Sequence, residues 1–302
     1  MMENTTAMPS AVNLEGMKQI RKNLLREQRQ LKIRKFLKNK LAVTGTAITL
    51  LMVIFAVFAP VICRQGPYSM VVSQRLMAPS AAHPLGTDTF GRDLFSRVVY
   101  GTRISMGVGA GVGILVLICG MIIGLYASYY KFLDNVLMRI CDGLKTIPAI
   151  LLAIALMAVL GPSIQNVIVS LAIVYTPDIA RIARSAALSV KEQTYIEAMH
   201  SLGASSSRII WRHIAPNVIS PVIVQVSFIF ATAIVTEAAL SFLGAGVPVP
   251  TPSWGNILYE GATVIYKAWW MIVFPGISMA LAVLGLNLLG DGLRDVLDPL
   301  SN

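Results

Sequence analysis

The run Lys191-Glu-Gln-Thr-Tyr-Ile-Glu-Ala-Met-His-Ser-Leu-Gly-Ala-Ser-Ser-Ser-Arg-Ile-Ile-Trp-Arg-His-Ile-Ala-Pro216 is a long polar connector between two apolar blocks. Its first part sets Ile196, Met199 and Leu202/Gly203 at helical spacing, with Glu197, His200 and Ser201 on the other flank. Its second part repeats the pattern, with Ile209, Ile210, Trp211 and Ile214 against Arg208, Arg212 and His213. Between them, Gly203 and the run Ala204-Ser-Ser-Ser207 let a helix stop and the chain turn. Pro216 suits the first turn of a following helix, where a backbone N–H is not needed. The connector is expected to be helix, turn, helix, held between two membrane spans. A plain link would not need apolar stripes.

The totals agree with a membrane setting. At 302 residues, 55% hydrophobic and 13% charged, the chain carries too little charge for a soluble globule of its size. Its apolar residues fall in long blocks, not in the short alternating segments of a barrel, so helices must satisfy the backbone in lipid. The net charge of +10 is concentrated: ten of 25 Lys and Arg lie in residues 18–40, directly before the first apolar block. That placement fits topogenic positive-inside charge and anionic lipid better than nucleic acid. Cys63, Cys119 and Cys141 have no metal-like spacing and read as small hydrophobes.

Residues 1–17 carry no pattern and are expected to be unstructured. With 18–40, a basic amphipathic helix on the cytoplasmic membrane surface, they form an N-terminal region over 1–40. Residues 41–62 are uncharged and long enough to cross about 30 Å of hydrocarbon. That block is too long for a signal peptide, so it is expected to stay as a span. An extracytoplasmic segment follows over 63–101, then a five-helix core over 102–291 and a cytoplasmic tail over 292–302. The core spans are expected at 104–130, 136–160, 163–182, 217–243 and 268–290, the cytoplasmic loop being 191–216. Gly109, Gly113, Gly120 and Gly124 make one smooth face for close packing in the second span. Arg139, Asp142 and Lys145 step by three and are expected to neutralise one another. This gives an all-α polytopic protein with six spans and both termini inside. It leaves nineteen Lys and Arg on the cytoplasmic side and six outside, the asymmetry the topology requires.

Chemistry is sparse. Ser205, Ser206 and Ser207 with His200 or His213 are the best hydrolase candidates, yet they lack a nucleophile elbow and an orienting acid. Turn serines and interfacial histidines account for them. None of the three histidines has metal spacing, so no metal is expected. A channel would need a selectivity element. Glu237, the lone carboxylate within a span, either lines a path or pairs with a neighbouring helix. No phosphate loop Gly-x-x-x-x-Gly-Lys-Ser/Thr occurs, so any nucleotide-driven work must use another chain.

The connector resembles the cytoplasmic loop of ABC-importer permeases: Glu-Ala-Ala, three residues, Gly, and a Pro thirteen positions later. Glu197, Ala198, Gly203 and Pro216 match, whereas Met199 and Ala215 depart from the usual residues. His83-Pro-Leu-Gly-Thr-Asp88, Gly91-Arg-Asp93, Ala239-Leu-Ser-Phe-Leu-Gly244, Pro250-Thr-Pro-Ser-Trp-Gly255, Phe274-Pro-Gly276 and Asn287-Leu-Leu-Gly-Asp-Gly-Leu-Arg-Asp-Val-Leu-Asp-Pro299 look like further family segments. The likeness covers about residues 35–299 and points to the dipeptide, oligopeptide and nickel branch.

The resemblance implies a type I importer fold and a non-catalytic permease subunit of the bacterial cytoplasmic membrane. It implies pairing with a related permease, two ATPase subunits that bind ATP and Mg, and an extracytoplasmic binding protein that delivers cargo. Peptides are the expected cargo, with nickel or a metal chelate as the alternative. Residues 197–208 would form the coupling helix, with Glu197, Ala198, Gly203, Ala204, Ser205 and Arg208 at the ATPase contact. The 250–255 loop with Trp254 would fold at the outer mouth and seal it, and Glu237 is a candidate for the path or the outer gate.

Overall fold

A computed structural model describes residues 14–297, and within them the chain is nearly all helical. The expected unstructured stretch lies outside the described residues up to position 13; from Leu14 the chain is already helix α1 (Leu14–Lys38). Asn39 then interrupts it and caps α2 (Lys40–Ile62), its Oδ1 accepting from the N–H groups of Leu41 and Ala42 at 3.0 and 3.1 Å.

Helix α3 (Leu94–Tyr129) is the central element and lies along both α6 (Ile164–Lys191) and α9 (Ala215–Phe242), while α11 (Trp270–Leu297) packs on α2 and α9. The small residues of α3 serve two neighbours in succession. A Cβ on Gly124 would sit 2.6 Å from Ala180 O of α6, and one on Gly109 would overlap Phe230 of α9. Close approach of backbones is what drives helix association in lipid, where burial of apolar surface gains little. Helix α3 also starts earlier than expected, because Asp93 accepts from Ser96 N and Oγ, both at 2.9 Å, and so caps it at Leu94. Residues 94–101 therefore belong to this helix, not to the preceding segment.

The third span differs from expectation. Helices α4 (Lys131–Lys145) and α5 (Ala149–Leu160) are separate and meet at 96°. Pro148 lacks an N–H and forces Ile147 out of the helical region. Helix α4 also carries a charged face that hydrocarbon would not accept. That face pairs with α6: Arg184 holds Asp134 (2.6 Å), Arg181 holds Asp142 (2.8 Å) and Lys145 holds Asp178 (2.7 Å). Arg139, Asp142 and Lys145 thus find partners, where they have them, across the helix interface and not among themselves. Helix α5, at twelve residues, is about 18 Å long and cannot cross the bilayer alone. Among the described residues five helices are long and apolar enough to span, and the bent pair makes a sixth if counted together.

The remaining spans match in number but run longer towards the cytoplasm. Helix α6 continues to Lys191 and α11 to Leu297, so the expected tail from 292 is helical as far as the described residues reach. Between α9 and α11, where a loop is expected over 250–255, the chain adds a short helix, α10 (Trp254–Ala262). Its signal was present: Ser253 Oγ accepts from Asn256 N at 3.2 Å, and Trp254, Ile257 and Gly261 share one buried face.

Candidate functional site: the cytoplasmic loop and the outer plug

The connector folds as a helix α7 (Thr194–Ser201), a glycine turn, one turn of helix α8 (Ser206–Arg208) and a π-helical turn (Ile209–Ile214) that runs into α9. Gly203 takes φ +75°. Its N–H donates to His200 O and that of Ala204 to Met199 O, both at 3.0 Å, which closes a Schellman motif and satisfies the last carbonyls of α7. The wide turn before Pro216 has its own cause. A proline ring in a continuous helix collides with the carbonyl four residues back, and the π register, with Ala215 N–H bonded to Ile210 O, opens that turn.

Apolar anchors fix this loop to the bundle. Ile196, Ile209, Ile210 and Ile214 are buried in the same cluster as Leu125, Ala183 and Val190. Each buried isoleucine at the cytoplasmic boundary contributes roughly 1.5–3 kcal/mol. Lys191 adds a polar tie: its Nζ donates to Ser128 O and Tyr129 O at 3.1 and 3.3 Å, capping the C-terminus of α3. His200 stacks on Tyr129, and its Nε2 lies 3.2 Å from the tyrosine hydroxyl; Trp211 meets Tyr126 edge-on. The loop is joined to α3, α6 and α9 together.

The opposite side of the loop is open. Glu197, Ala198, Gly203, Ser205 and Arg208 are exposed and Ala204 is half-buried. Leu202, expected on the apolar stripe, is instead 81% exposed because α7 ends there and the left-handed glycine swings it outward. Of the candidate hydrolase residues, His200 turns to Tyr129 and no serine of Ser205–Ser207 hydrogen-bonds either histidine; Ser201 bonds back to Glu197 O at 3.1 Å.

At the outer face, Glu237 and Trp254 come together through Ser105. Glu237 is fully buried; its oxygens accept from Ser105 Oγ of α3 and Ser241 Oγ of α9, both at 2.8 Å. Trp254, also fully buried, donates its backbone N–H to Ser105 Oγ and its indole N–H to Val98 O, each at 3.3 Å. The hydrogen bond from Ser105 is a contact with a neighbouring helix, α3, and that from Ser241 comes from within α9. Helix α10 is plugged between α3 and α9, and Gly255 lies on the backbone of Ala238, where a Cβ would not fit.

A second outer constellation lies outside the expected site residues. Asp88, Arg92, Arg97 and Glu260 form a buried four-charge cluster, neutral as a whole. Arg92 and Arg97 both bond Asp88 Oδ2 and Glu260 Oε2, with Arg92 Nη2 at 2.7 Å and Arg97 Nη2 at 3.1 Å from Glu260. Asp88 Oδ1 takes the N–H groups of Phe90 and Arg92 besides. The cluster ties the segment after the first span to α3 and α10. His83-Pro…Asp88 and Gly91-Arg-Asp93 contain two of its members, Asp88 and Arg92, but nothing local pointed to Arg97 or Glu260.

Known proteins share this pattern. The description "Binding-protein-dependent transport system inner membrane component" matches residues 117–301, and "N-terminal TM domain of oligopeptide transport permease C" matches residues 28–79. A putative peptide transport system permease protein of Brucella abortus is 46% identical over 266 residues, covering 88% of this chain and 90% of its own. The dipeptide transport system permease protein of Alkalihalophilus pseudofirmus is also 46% identical, covering 87% and 86%. Among solved structures, an inward-facing methionine ABC transporter chain superposes with a TM-score of 0.56 at 20% identity, over 66% of this chain and 96% of that one. That likeness carries the fold alone.

Proposed function

The chain belongs to the binding-protein-dependent transport inner-membrane components, and on that premise we propose that it moves di- or oligopeptides inward across the bacterial cytoplasmic membrane by alternating access. It is one permease of a pair. A related permease completes the pore, two ATPase subunits bind and hydrolyse ATP with Mg on the cytoplasmic side, and a binding protein delivers peptide from outside.

The observation that carries this reading is the two-sided loop over 194–214. One side is anchored by buried isoleucines and Lys191 to three spans; the other presents Glu197, Ala198, Leu202, Ser205 and Arg208 to the cytoplasm. Leu202, at the tip between α7 and α8, together with the exposed polar side chains gives a surface that a partner's groove would receive. A partner that changes its grip on this surface between nucleotide states biases the tilt of α3, α6 and α9 through those anchors. At the far end, Trp254 and Glu237 act as the outer plug, rigid while Ser105 holds both.

The test is reconstitution with the partner permease, both ATPases and the binding protein in proteoliposomes. Peptide uptake that requires ATP and the binding protein is expected. Stimulation of hydrolysis by a nickel-loaded binding protein and not by peptide would move the cargo to the metal alternative; flux without ATP would make the chain a channel.

A further inference from the structure

Gln225, with Ser220 five residues before it, stands apart from the other polar residues of α9. Ser227 donates to Val224 O (2.6 Å), Thr232 to Phe228 O (2.9 Å) and Thr236 to Thr232 O (2.9 Å), and Glu237 is held by two serines. The half-buried Gln225 carboxamide has no hydrogen-bond partner among the described residues. Turned to hydrocarbon it would cost several kcal/mol, so polar side chains within spans face water, cargo or another helix.

Its direction narrows the choice. Val226, Phe230 and Ile234 face the α3 glycines Gly109 and Gly113, which puts Gln225 on roughly the opposite side of α9. There a cavity of about 520 Å³ lies between α6, α9 and α11, with Ser220, Gln225, Phe228 and Arg294 among its lining and no carboxylate. That volume is in the range of small-ligand pockets, about 300–1,000 Å³. Arg294 likewise has no hydrogen-bond or ion-pair partner among the described residues. The helix dipole favours a cation in the last turn of α11. It does not account for a guanidinium opening onto the same cavity as an unpartnered amide. Asn287, seven residues earlier and on the same face of α11, is a further polar side chain without a partner among the described residues.

The cavity offers one cation at its cytoplasmic end, neutral amide donors and acceptors deeper in, and apolar walls. We propose that it is a cargo site on the cytoplasmic half of the path, taking a short peptide with its free carboxylate on Arg294 and its backbone amides on Gln225. A guanidinium binds a carboxylate through two parallel hydrogen bonds, and a carboxamide matches a peptide group donor for acceptor. The site rests on the peptide-permease reading and assigns to this chain a recognition step separate from that of the binding protein.

The test uses the assembled complex in lipid nanodiscs without nucleotide, with Cys63, Cys119 and Cys141 replaced by alanine. Gln225→Cys is expected to react with a water-soluble sulfonatoethyl methanethiosulfonate at least about tenfold faster than Val57→Cys on α2, the factor that 1.4 kcal/mol of difference in barrier gives. Millimolar trialanine should slow the reaction severalfold, trialanine amide much less, and Arg294→Gln should erase that difference. An unreactive thiol at 225 means the side chain faces lipid or a partner helix and overturns the proposal. Equal reactivity with and without either peptide leaves a wet path with no cargo site and overturns it as well, as does protection by anionic lipid alone. The importer reading fails separately: the cysteine-free parent complex would then show no peptide-stimulated ATP hydrolysis.

Discussion

Replacing Gly203 tests the loop with an unusually clean perturbation. Its φ of +75° lies in the left-handed region, and a Cβ built there meets nothing within 4 Å. Steric overlap with the bundle therefore contributes nothing, and the whole cost is backbone conformation: about 1–2 kcal/mol for an ordinary L residue, more for a β-branched one. A loss of that size lowers the population of the Schellman turn relative to a frayed one by a factor of roughly 5–30. The isoleucine anchors lie on either side of the turn, so insertion and bundle packing should survive. Gly203→Val is expected to insert normally yet lose most of the peptide-stimulated ATP hydrolysis of the reconstituted complex. Gly203→Asn, whose side chain tolerates the left-handed region, should keep most of it. Undiminished coupling in the valine variant, or equal loss in both, would refute the argument that the left-handed turn shapes the docking surface.

Other expectations follow from the packing. Glu260→Gln leaves the Arg92 and Arg97 side chains, 2% and 0% exposed, short of charge, and should destabilise the detergent-solubilised protein by about 3–5 kcal/mol in thermal unfolding. Replacing Asp88, Arg92, Arg97 and Glu260 together by apolar residues of similar volume should recover much of that stability. Ser105→Ala strips a donor from Glu237 and an acceptor from Trp254 N–H; a loss of about 1–3 kcal/mol is expected, together with faster proteolysis of the 245–262 region from the outside. Gly124→Val drives a side chain into Ala180 and Ala183 of α6, and should cut the yield of folded protein in the membrane, whereas Gly143→Val, with open space around it, should not.

The spans were legible because lipid leaves the backbone little choice. An uncharged run of twenty residues must close its own hydrogen bonds, so 41–62 and the apolar part of 217–243 announced helices by composition alone. The connector was legible for a related reason: Gly203 and Pro216 are local backbone signals, and the left-handed turn and the helix start depend on no distant residue. The bend within the third span was not legible because hydropathy is blind to direction. Residues 136–160 average as one apolar run, but the α4 charges answer to Asp178, Arg181 and Arg184 on another helix, and Pro148 lets the chain bend to meet them.

Long-range closure decided the rest. Composition marked Glu237 as unusual, yet the groups that hold its carboxyl, Ser105, 132 residues away, and Ser241, are set only when α3 packs on α9. Asp88, Arg92 and Arg97 are neighbours in sequence, but they make a buried cluster only because α10 returns Glu260 to them. Gln225 and Arg294 are ordinary in the linear text and become notable when α9 and α11 leave them facing one cavity. Local pattern determines which segments enter lipid and how they begin and end, since each helix closes its own hydrogen bonds. Which polar groups are satisfied, and which are left to meet a ligand, is settled only when distant helices pack, because a buried charge or amide is made tolerable by partners that no window of sequence contains.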